Sequence, residues 1–511
     1  MKSNDQFAYD KDPWLKIQDL ESDLKRRSLR GGGAIIFSRI STYAIQMISA
    51  FILARLLKPE DFGLVALVMV VSMIVVEFGT LRLGDAIVQA SSLNHSQVTG
   101  LFWLNVGLSL LVTIIFICAS PALAWFYGDR RVQSIACVMG VSMIFYGVSV
   151  EHLALLQRRM EFSKIALVQI VAAIASATTA ISMALFNFSY WALVARQIML
   201  PGALAVGAWT VCGWRPGPPG RPQDVMRMVK FGFNSLGNYL TTYLTRSADK
   251  ILIGRFCGAY LLGHYERSYH LFVFPVNQLT YPLTSVALAT LSKLRNDMLR
   301  YKKYYLEAIA ILAFVGMPLS GFLWLVAGDI ILLLLGPQWR EAGEVLRFLA
   351  PGIGIFLIYG TNGWLHLSLG RADRWFRWGL GASIATVALF ILGIRFGVNG
   401  VAIAYSTSFY ILIGPGLSYA GRPINLHFYE IFAVFWRYFA AALISAYICW
   451  LLQINRVYSM LSLSTMGLVL RIAVLGSCYI LVYLCLVVIF FKGWSPISNF
   501  VRIVAQLTKD A

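Results

Sequence analysis

Fourteen mostly apolar runs follow one another along this 511-residue chain. They fall at roughly 34–57, 62–81, 99–126, 132–156, 164–186, 189–212, 231–256, 268–290, 304–327, 344–369, 375–396, 399–420, 430–452 and 467–491. Each is close to the ~20 residues that an α-helix needs to cross a bilayer. Backbone polar groups at that depth must bond within the chain itself, so each run reads as a helix. With 58% hydrophobic and only 13% charged residues, the composition excludes an ordinary soluble protein. The expected fold class is therefore an all-α polytopic membrane protein of about 14 transmembrane helices. The seventh run is the most polar, and only Asn187 and Phe188 separate the fifth from the sixth. All loops are short, which leaves no room for a soluble domain.

The basic residues orient this map. One side of the alternating spans, the side with both termini, holds 27 Lys and Arg, against ten on the other side and six within spans. Short loops rich in Lys and Arg stay cytoplasmic, so both termini are expected in the cytoplasm and the number of spans is even. The net charge of +19 then reflects topology, and no nucleic-acid partner is implied. The first 30 residues have no apolar core followed by a cleavage site, so no signal peptide is expected. Seven cysteines lie in or beside apolar runs without CxxC or Cys/His spacing. They read as small membrane-core residues, not as disulfides, metal ligands or nucleophiles.

A repeat divides the chain. At an offset of 200 residues, Thr42, Tyr43, Arg55 and Gly63 return as Thr242, Tyr243, Arg255 and Gly263 without insertion, and similar residues fill neighbouring places. Chance similarity between two apolar helices is the alternative. The stretch Trp214–Pro222 (WRPGPPGRP) cannot be helical and falls where the repeat restarts. The expected organisation is a cytoplasmic tail 1–33, an N-lobe 34–212 of six helices, a cytoplasmic linker 213–230, a C-lobe 231–420 of six helices, and a segment 421–511 with the last two spans and a cytoplasmic tail. Six is even, so the two pseudo-symmetric lobes share one orientation, as a parallel repeat. Trp14, Ile17, Leu20 and Leu24, and likewise Ile497, Val501 and Val504, have the spacing of interfacial helices. A disordered tail is the alternative.

The seventh run carries Arg246, Asp249 and Lys250. Charges at bilayer depth are costly unless they face partners or a wet cavity, so they mark a candidate site. Helical spacing places Arg39, Thr42, Gln46 and Ser49 on one face of the first run, and Tyr239, Thr242, Arg246 and Asp249/Lys250 on the matching face of the seventh. Symmetry would aim both faces, with Tyr43 and Tyr243, at a shared cationic cleft. Such a cleft suits a phosphate, which Arg grips bidentately. The alternative is an internal i,i+3 salt bridge between Arg246 and Asp249. Arg196, in the sixth run, either lines the cavity or faces the lobe interior. Glu77 either pairs with Arg82 or titrates as a coupling carboxylate. Glu151 and His152, just before Arg158 and Arg159, read as interfacial. Glu266, Arg267 and His270 read as a solvated rim, His366 and Arg437 as satisfied core or interface groups, and Arg471 as a snorkelling cation.

The stretch Ala248-Asp249-Lys250-Ile251-Leu252-Ile253-Gly254-Arg255-Phe256 with Leu262-Gly263-His264-Tyr265 resembles a hallmark of the bacterial polysaccharide transporter (flippase) family. Ala54–Leu57, Phe62-Gly63-Leu64, Phe78-Gly79 to Ile87-Val88-Gln89, and Gly336-Pro337-Gln338-Trp339 resemble further family segments. The resemblance covers most of residues 30–420 and is closest to the colanic-acid-exporter-like branch. Its superfamily also holds multidrug-extrusion antiporters and the peptidoglycan-precursor flippase. Where many members have Asp before the Phe-Gly pair, this chain has Glu77. The resemblance implies flipping of an undecaprenyl-diphosphate-linked oligosaccharide across the bacterial inner membrane by alternating access, for exopolysaccharide, capsule or O-antigen synthesis. It implies a polysaccharide polymerase and chain-length or export machinery as neighbours. On this reading Arg39, Arg246 and Lys250 hold the diphosphate, with Arg196, Tyr43, Tyr243 and Gln46 in the cavity. Glu77 and Asp249 serve coupling or charge pairing, the coupling ion (H+ or Na+) stays open, and no cofactor or metal is expected. Two competing readings are an ion-coupled drug or small-cation antiporter, whose cleft should be acidic, and a polytopic polymerase or glycosyltransferase. The only D-x-D, Asp10-Lys11-Asp12, lies in a polar tail and gives the enzyme little support.

Overall fold

A computed structural model of the chain describes residues 24–90, 93–219, 225–454 and 464–509. Among them there is no strand. Seventeen α-helices follow in order: α1 Leu24–Leu56, α2 Pro59–Thr80, α3 Leu83–Gln89, α4 His95–Tyr127, α5 Arg131–Arg158, α6 Phe162–Leu185, α7 Tyr190–Val211, α8 Val225–Lys293, α9 Met298–Leu334, α10 Arg340–Leu349, α11 Gly352–Gly360, α12 Asn362–Ser368, α13 Ala372–Gly393, α14 Gly397–Gly421, α15 Phe428–Ile454, α16 Thr465–Phe491 and α17 Ser495–Lys509. The all-helical membrane class is thus observed. Trp14, Ile17 and Leu20 lie outside the described residues, while Ile497 and Val501 fall on α17 as their spacing suggests.

Among the described residues, ten helices are long and apolar enough to cross a membrane, or eleven if the bent pair Pro337–Leu349 and Gly352–Ser368, which turns by 52°, is one span; the expected count of about fourteen is not confirmed by these. The differences have local causes. The seventh and eighth runs share the helix α8, which is interrupted by non-helical backbone at Gly258 (φ 81°, ψ 176°). That left-handed φ is open to glycine and strained for other residues. The eleventh and twelfth runs lie in one stretch, Ala372–Ile424, that is broken only by a 3₁₀ turn and Gly397 at φ 72°. The tenth run is bent because Pro351 has no N–H to donate and cannot continue α10 into α11.

Packing divides the chain into two compact units, one ending at Gly263 and the other beginning at His264. In the first unit, α1 lies on α6, α4 on α5, and α7 on both α5 and α6. Its core includes Leu83, Ile87, Leu101, Phe102, Leu155 and Leu156. The expected linker begins inside this core: residues after Val211 are not helical, yet Trp214 is buried against it. In the second unit, α9 packs on α10, α11, α15 and α16. Outward-facing residues such as Trp125, Phe186 and Phe396 are large and apolar, as lipid-facing positions should be.

Candidate functional site

Within the first unit, α1, α5, α6 and α7 line an open cavity of about 420 Å³, with Arg39 and Gln46 exposed at it. Arg39, Thr42 and Gln46 enter it from α1, Gln157 from α5, Gln169 from α6, and Leu200 and Leu204 from α7. The 3–4 residue spacing of Arg39, Thr42 and Gln46 gives a single stripe on α1. Ser38, one residue before Arg39, is buried and donates from Oγ to Gln169 Oε1 at 2.9 Å, which fixes α1 against α6. Thr42 spends its own hydroxyl on the Ser38 carbonyl at 2.7 Å. Ser49, the last member of the stripe, is buried beyond the cavity.

The chemistry of the lining is one-sided. A guanidinium, three amide side chains and apolar walls meet there, and among the described residues neither Asp nor Glu lines it. Such a set binds an anion through the guanidinium and hydroxyl groups through the amides. The volume lies within the range of small-molecule sites. In the second unit, a separate cavity of about 280 Å³ between Met317, Trp324, Tyr410, Phe439, Leu443 and Tyr447 is almost wholly apolar.

The other expected site residues are placed as follows. Tyr43 is on α1 but outside the cavity lining. Tyr243, on α8, donates from its hydroxyl to the Val70 carbonyl at 3.2 Å and ties α8 to α2. Arg246 belongs to α8, and its side chain lies outside the described residues. Asp249 is wholly buried and accepts from the backbone N–H of Lys250 at 2.8 Å. Lys250 is half-buried and not among the cavity lining. Arg196 sits on α7 one turn before Leu200, on the face that leads into the cavity. Glu77 is 3.5 Å from Arg82, which also pairs with Asp85 at 2.9 Å. This trio caps the break between α2 and α3, where Leu81 and Arg82 both have left-handed φ. The structure thus brings Arg39 and Gln46 together in one cavity.

Two readings made from the sequence are corrected. Glu151 and His152 are not interfacial: both are 0% exposed inside the first unit. His152 is stacked on Trp209, with ring centroids 4.4 Å apart. Arg471 does not snorkel outward; it lies 3.6 Å from Asp329 with its side chain 14% exposed. Gln157 and Gln169 were missed as lining residues, although a glutamine inside an apolar run such as 164–186 was a readable signal. Asn105 was missed in the same way. Its Nδ2 donates to Glu151 Oε1 in the middle of the unit.

Comparison with known proteins gives a consistent picture. The family model described as "Polysaccharide biosynthesis protein" matches residues 52–344, more than half of the chain. The succinoglycan biosynthesis transport protein ExoT of Rhizobium meliloti (strain 1021) is 25% identical over 366 residues, covering 71% of this chain and 74% of its own length. The teichuronic acid biosynthesis protein TuaB of Bacillus subtilis (strain 168) is 26% identical, over 58% of this chain and 62% of its own length. The lipopolysaccharide biosynthesis protein WzxC of Escherichia coli (strain K12) is 20% identical, over 79% and 84%. In fold, the chain is similar to the lipid II flippase MurJ in an inward closed conformation, with TM-score 0.71, 14% identity, and 91% of this chain and 99% of that chain covered. An inward-facing multidrug resistance MATE family transporter of the MOP superfamily matches with TM-score 0.59 at 13% identity, covering 75% of this chain and 94% of that chain.

Proposed function

We propose that this chain, which belongs to the polysaccharide biosynthesis protein family, is a flippase that carries lipid-linked oligosaccharide repeat units across the bacterial inner membrane. The observation that carries this reading is the N-terminal cavity: among the described residues it has one guanidinium, three amides and no carboxylate, and it is bounded by helices long enough to span a bilayer. A drug or small-cation antiporter needs acidic groups where its cation sits. This cavity offers the opposite sign, which suits a diphosphate with sugars attached. Arg39 takes a phosphate oxygen, with Arg196 one turn above the cavity, and Gln46, Gln157 and Gln169 hydrogen-bond sugar hydroxyls. Arg246 and Lys250 extend the cationic surface, Tyr43 and Tyr243 flank it, and Asp249 and Glu77 balance its charge. The lobes 34–212 and 231–420 alternate between openings to the two faces, and the polyprenyl tail stays in lipid. Partner enzymes on the outer side, a polymerase with chain-length and export machinery, take the delivered unit.

The deciding experiment replaces Arg39, Arg246 and Lys250 with Ala in turn, in the native host, and follows glycan export and lipid-linked oligosaccharide at constant protein level. Loss of a charge-assisted hydrogen bond of about 1.5–3 kcal/mol predicts roughly 10–100-fold weaker binding, with intermediates accumulating on the inner leaflet. R39K keeps the charge without the bidentate fork and is expected to fall between wild type and R39A. Normal export by all three Ala variants rejects the phosphate role of these residues.

A further inference from the structure

Asn105 on α4 and Glu151 on α5 meet at a point that none of the site residues above touches. Both are 0% exposed. They lie about 10–15 Å inside the adjoining ends of their helices, at 1.5 Å per residue. The helices come this close because Gly147 is one turn before Glu151: a Cβ there would be 2.6 Å from the Ser109 Cβ and 3.2 Å from the Asn105 carbonyl. Asn105 Nδ2 donates to Glu151 Oε1. The other two polar atoms of the pair, Asn105 Oδ1 and Glu151 Oε2, are buried and without a hydrogen-bond partner.

Both orphans are acceptors, and no basic group among the described residues answers them. Arg196 on α7 and Tyr146 on α5 are the further titratable groups on the helices packed here; most of the others are engaged elsewhere. Glu77 and Asp85 are on Arg82. Arg158 donates to the carbonyls of Ile87 and Ala90. Arg215 donates to the carbonyls of Cys212 and Trp214. His152 faces Trp209, Trp214 and Phe102, and His95 faces Trp214. An uncompensated carboxylate is the costliest occupant of such a place. An amide and a carboxylic acid side by side, however, form a closed ring. The amide N–H donates to the acid C=O, and the acid O–H donates to the amide C=O. One bond of that ring is already present, and a single proton on Oε2 would satisfy both orphans.

We propose that Glu151 and Asn105 form a proton-binding site of the N-terminal unit, and that loading and release of this one proton is what couples transport to the proton gradient. Release breaks the Oε2–H bond, leaves its electron pair on the carboxylate and passes the proton to water. The carboxylate then faces Asn105 Oδ1, which loosens α4 from α5 beside the Gly79 carbonyl on α2, where Ser109 donates at 3.3 Å. Only the coupling clause rests on the flippase reading; the occupancy of the site does not.

Glu151→Gln is the informative substitution, because its amide closes the same ring without a titrating proton. For the purified full-length protein in lipid nanodiscs, the expected result is a thermal midpoint that falls by roughly 2–4 °C from neutral to alkaline pH in wild type and stays flat in E151Q. Infrared spectra of wild type should contain a buried carboxylic acid C=O band that E151Q lacks. Asn105→Ala, which removes the ring partner but leaves the acid, should retain the band at a shifted frequency. Identical pH profiles and identical carboxylic acid bands in wild type and E151Q overturn the site. Stabilisation of wild type by Na+ over K+ or choline that E151Q loses also overturns it, in favour of a metal cation. In proteoliposomes, proton uptake driven by lipid-linked oligosaccharide should be lost in E151Q. If E151Q still takes up protons, coupling fails while the site stands. If wild type moves no lipid-linked oligosaccharide, the flippase reading fails while the infrared band remains.

Discussion

At the scale of single residues, two glycines of the internal repeat show how little of a close contact is visible before folding. Gly63 and Gly263 are related by the 200-residue offset, and they meet. A Cβ on Gly63 would stand inside the Ala259 carbonyl, and one on Gly263 inside the Pro59 carbonyl and 3.2 Å from the Gly63 nitrogen. Gly63→Ala and Gly263→Ala are therefore each expected to cost about 1–3 kcal/mol, read as a lower thermal midpoint. Their double variant should lose less than the sum, since one helix separation relieves both clashes. Gly379→Ala, in the interior of α13 with nothing within 4 Å of its Cβ position, should be neutral or stabilising by up to about 1 kcal/mol. A loss for G379A equal to that for G63A would mean that backbone proximity is not what these glycines provide. Asp129, in the turn between α4 and α5, lies outside the spans and supplies a titration of its own. Hydrogen bonds from Arg131, whose Nη2 is 2.8 Å away, hold its carboxyl below the usual carboxylate range. A carboxyl depressed by folding stabilises above its unfolded value, about 3.9, and that stability is lost as pH falls through the lower folded value. Asp129→Asn should flatten the acid limb of the stability profile below about pH 4 and leave the alkaline limb unchanged.

Among the elements, helix positions were largely legible in the sequence and their partners were not. Most of the apolar runs lie within helices of the structure, because a helix in hydrocarbon satisfies its own backbone and needs no neighbour to be recognised. Gly258 was silent, since a glycine inside an apolar run reads equally as helix or break, and only its positive φ decides. Arg39, Thr42 and Gln46 were legible as a stripe because helical spacing alone puts them on one face. Gln157, Gln169, Asn105 and Glu151 acquire meaning only when α4, α5 and α6 are brought side by side, which no single run specifies. The last two spans make the same point. They are integrated into the second unit: Tyr483 donates to the Phe314 carbonyl at 3.0 Å, Tyr479 packs beside Leu325 and Leu475, and Arg471 lies 3.6 Å from Asp329. With side chains only 9% and 14% exposed, this pair is expensive to break by halves. Asp329→Asn should cost about 3–5 kcal/mol, whereas the joint exchange D329L/R471M should recover most of that loss. A neutral D329N in thermal unfolding would show that α16 docks through its apolar face alone.

For the whole molecule, the alternation of turns meets the distribution of charge. Leu57–Lys58, Gly128–Arg130, Asn187–Ser189, Gly258, Gly336 and Gly397 mark one set of helix ends. Leu81–Arg82, Met160–Glu161, the loop after Val211, Leu294–Asp297, Gly370–Arg371 and Arg422–Asn425 mark the other. The second set is the one in which Lys and Arg accumulate, 27 against ten, and we propose on that asymmetry that it lies, with both termini, in the cytoplasm. Alkaline phosphatase inserted after residues 129, 187 or 397 should then be active, and after residues 161, 296 or 511 inactive, with a cytoplasmic reporter giving the inverse pattern. The assignment also sets the direction of transport. Arg39 is about 10 Å into the span Gly32–Leu56 from its N-terminal end, so a cytoplasmic N-terminus puts the cavity's guanidinium in the inner half of the bilayer. On the proposed function it would there meet a diphosphate presented from the inner leaflet, whose negative surface concentrates basic segments. An inverted reporter pattern would place Arg39 in the outer half and reverse the loading side, and the accumulation expected on the inner leaflet in R39A would then have to appear on the outer one.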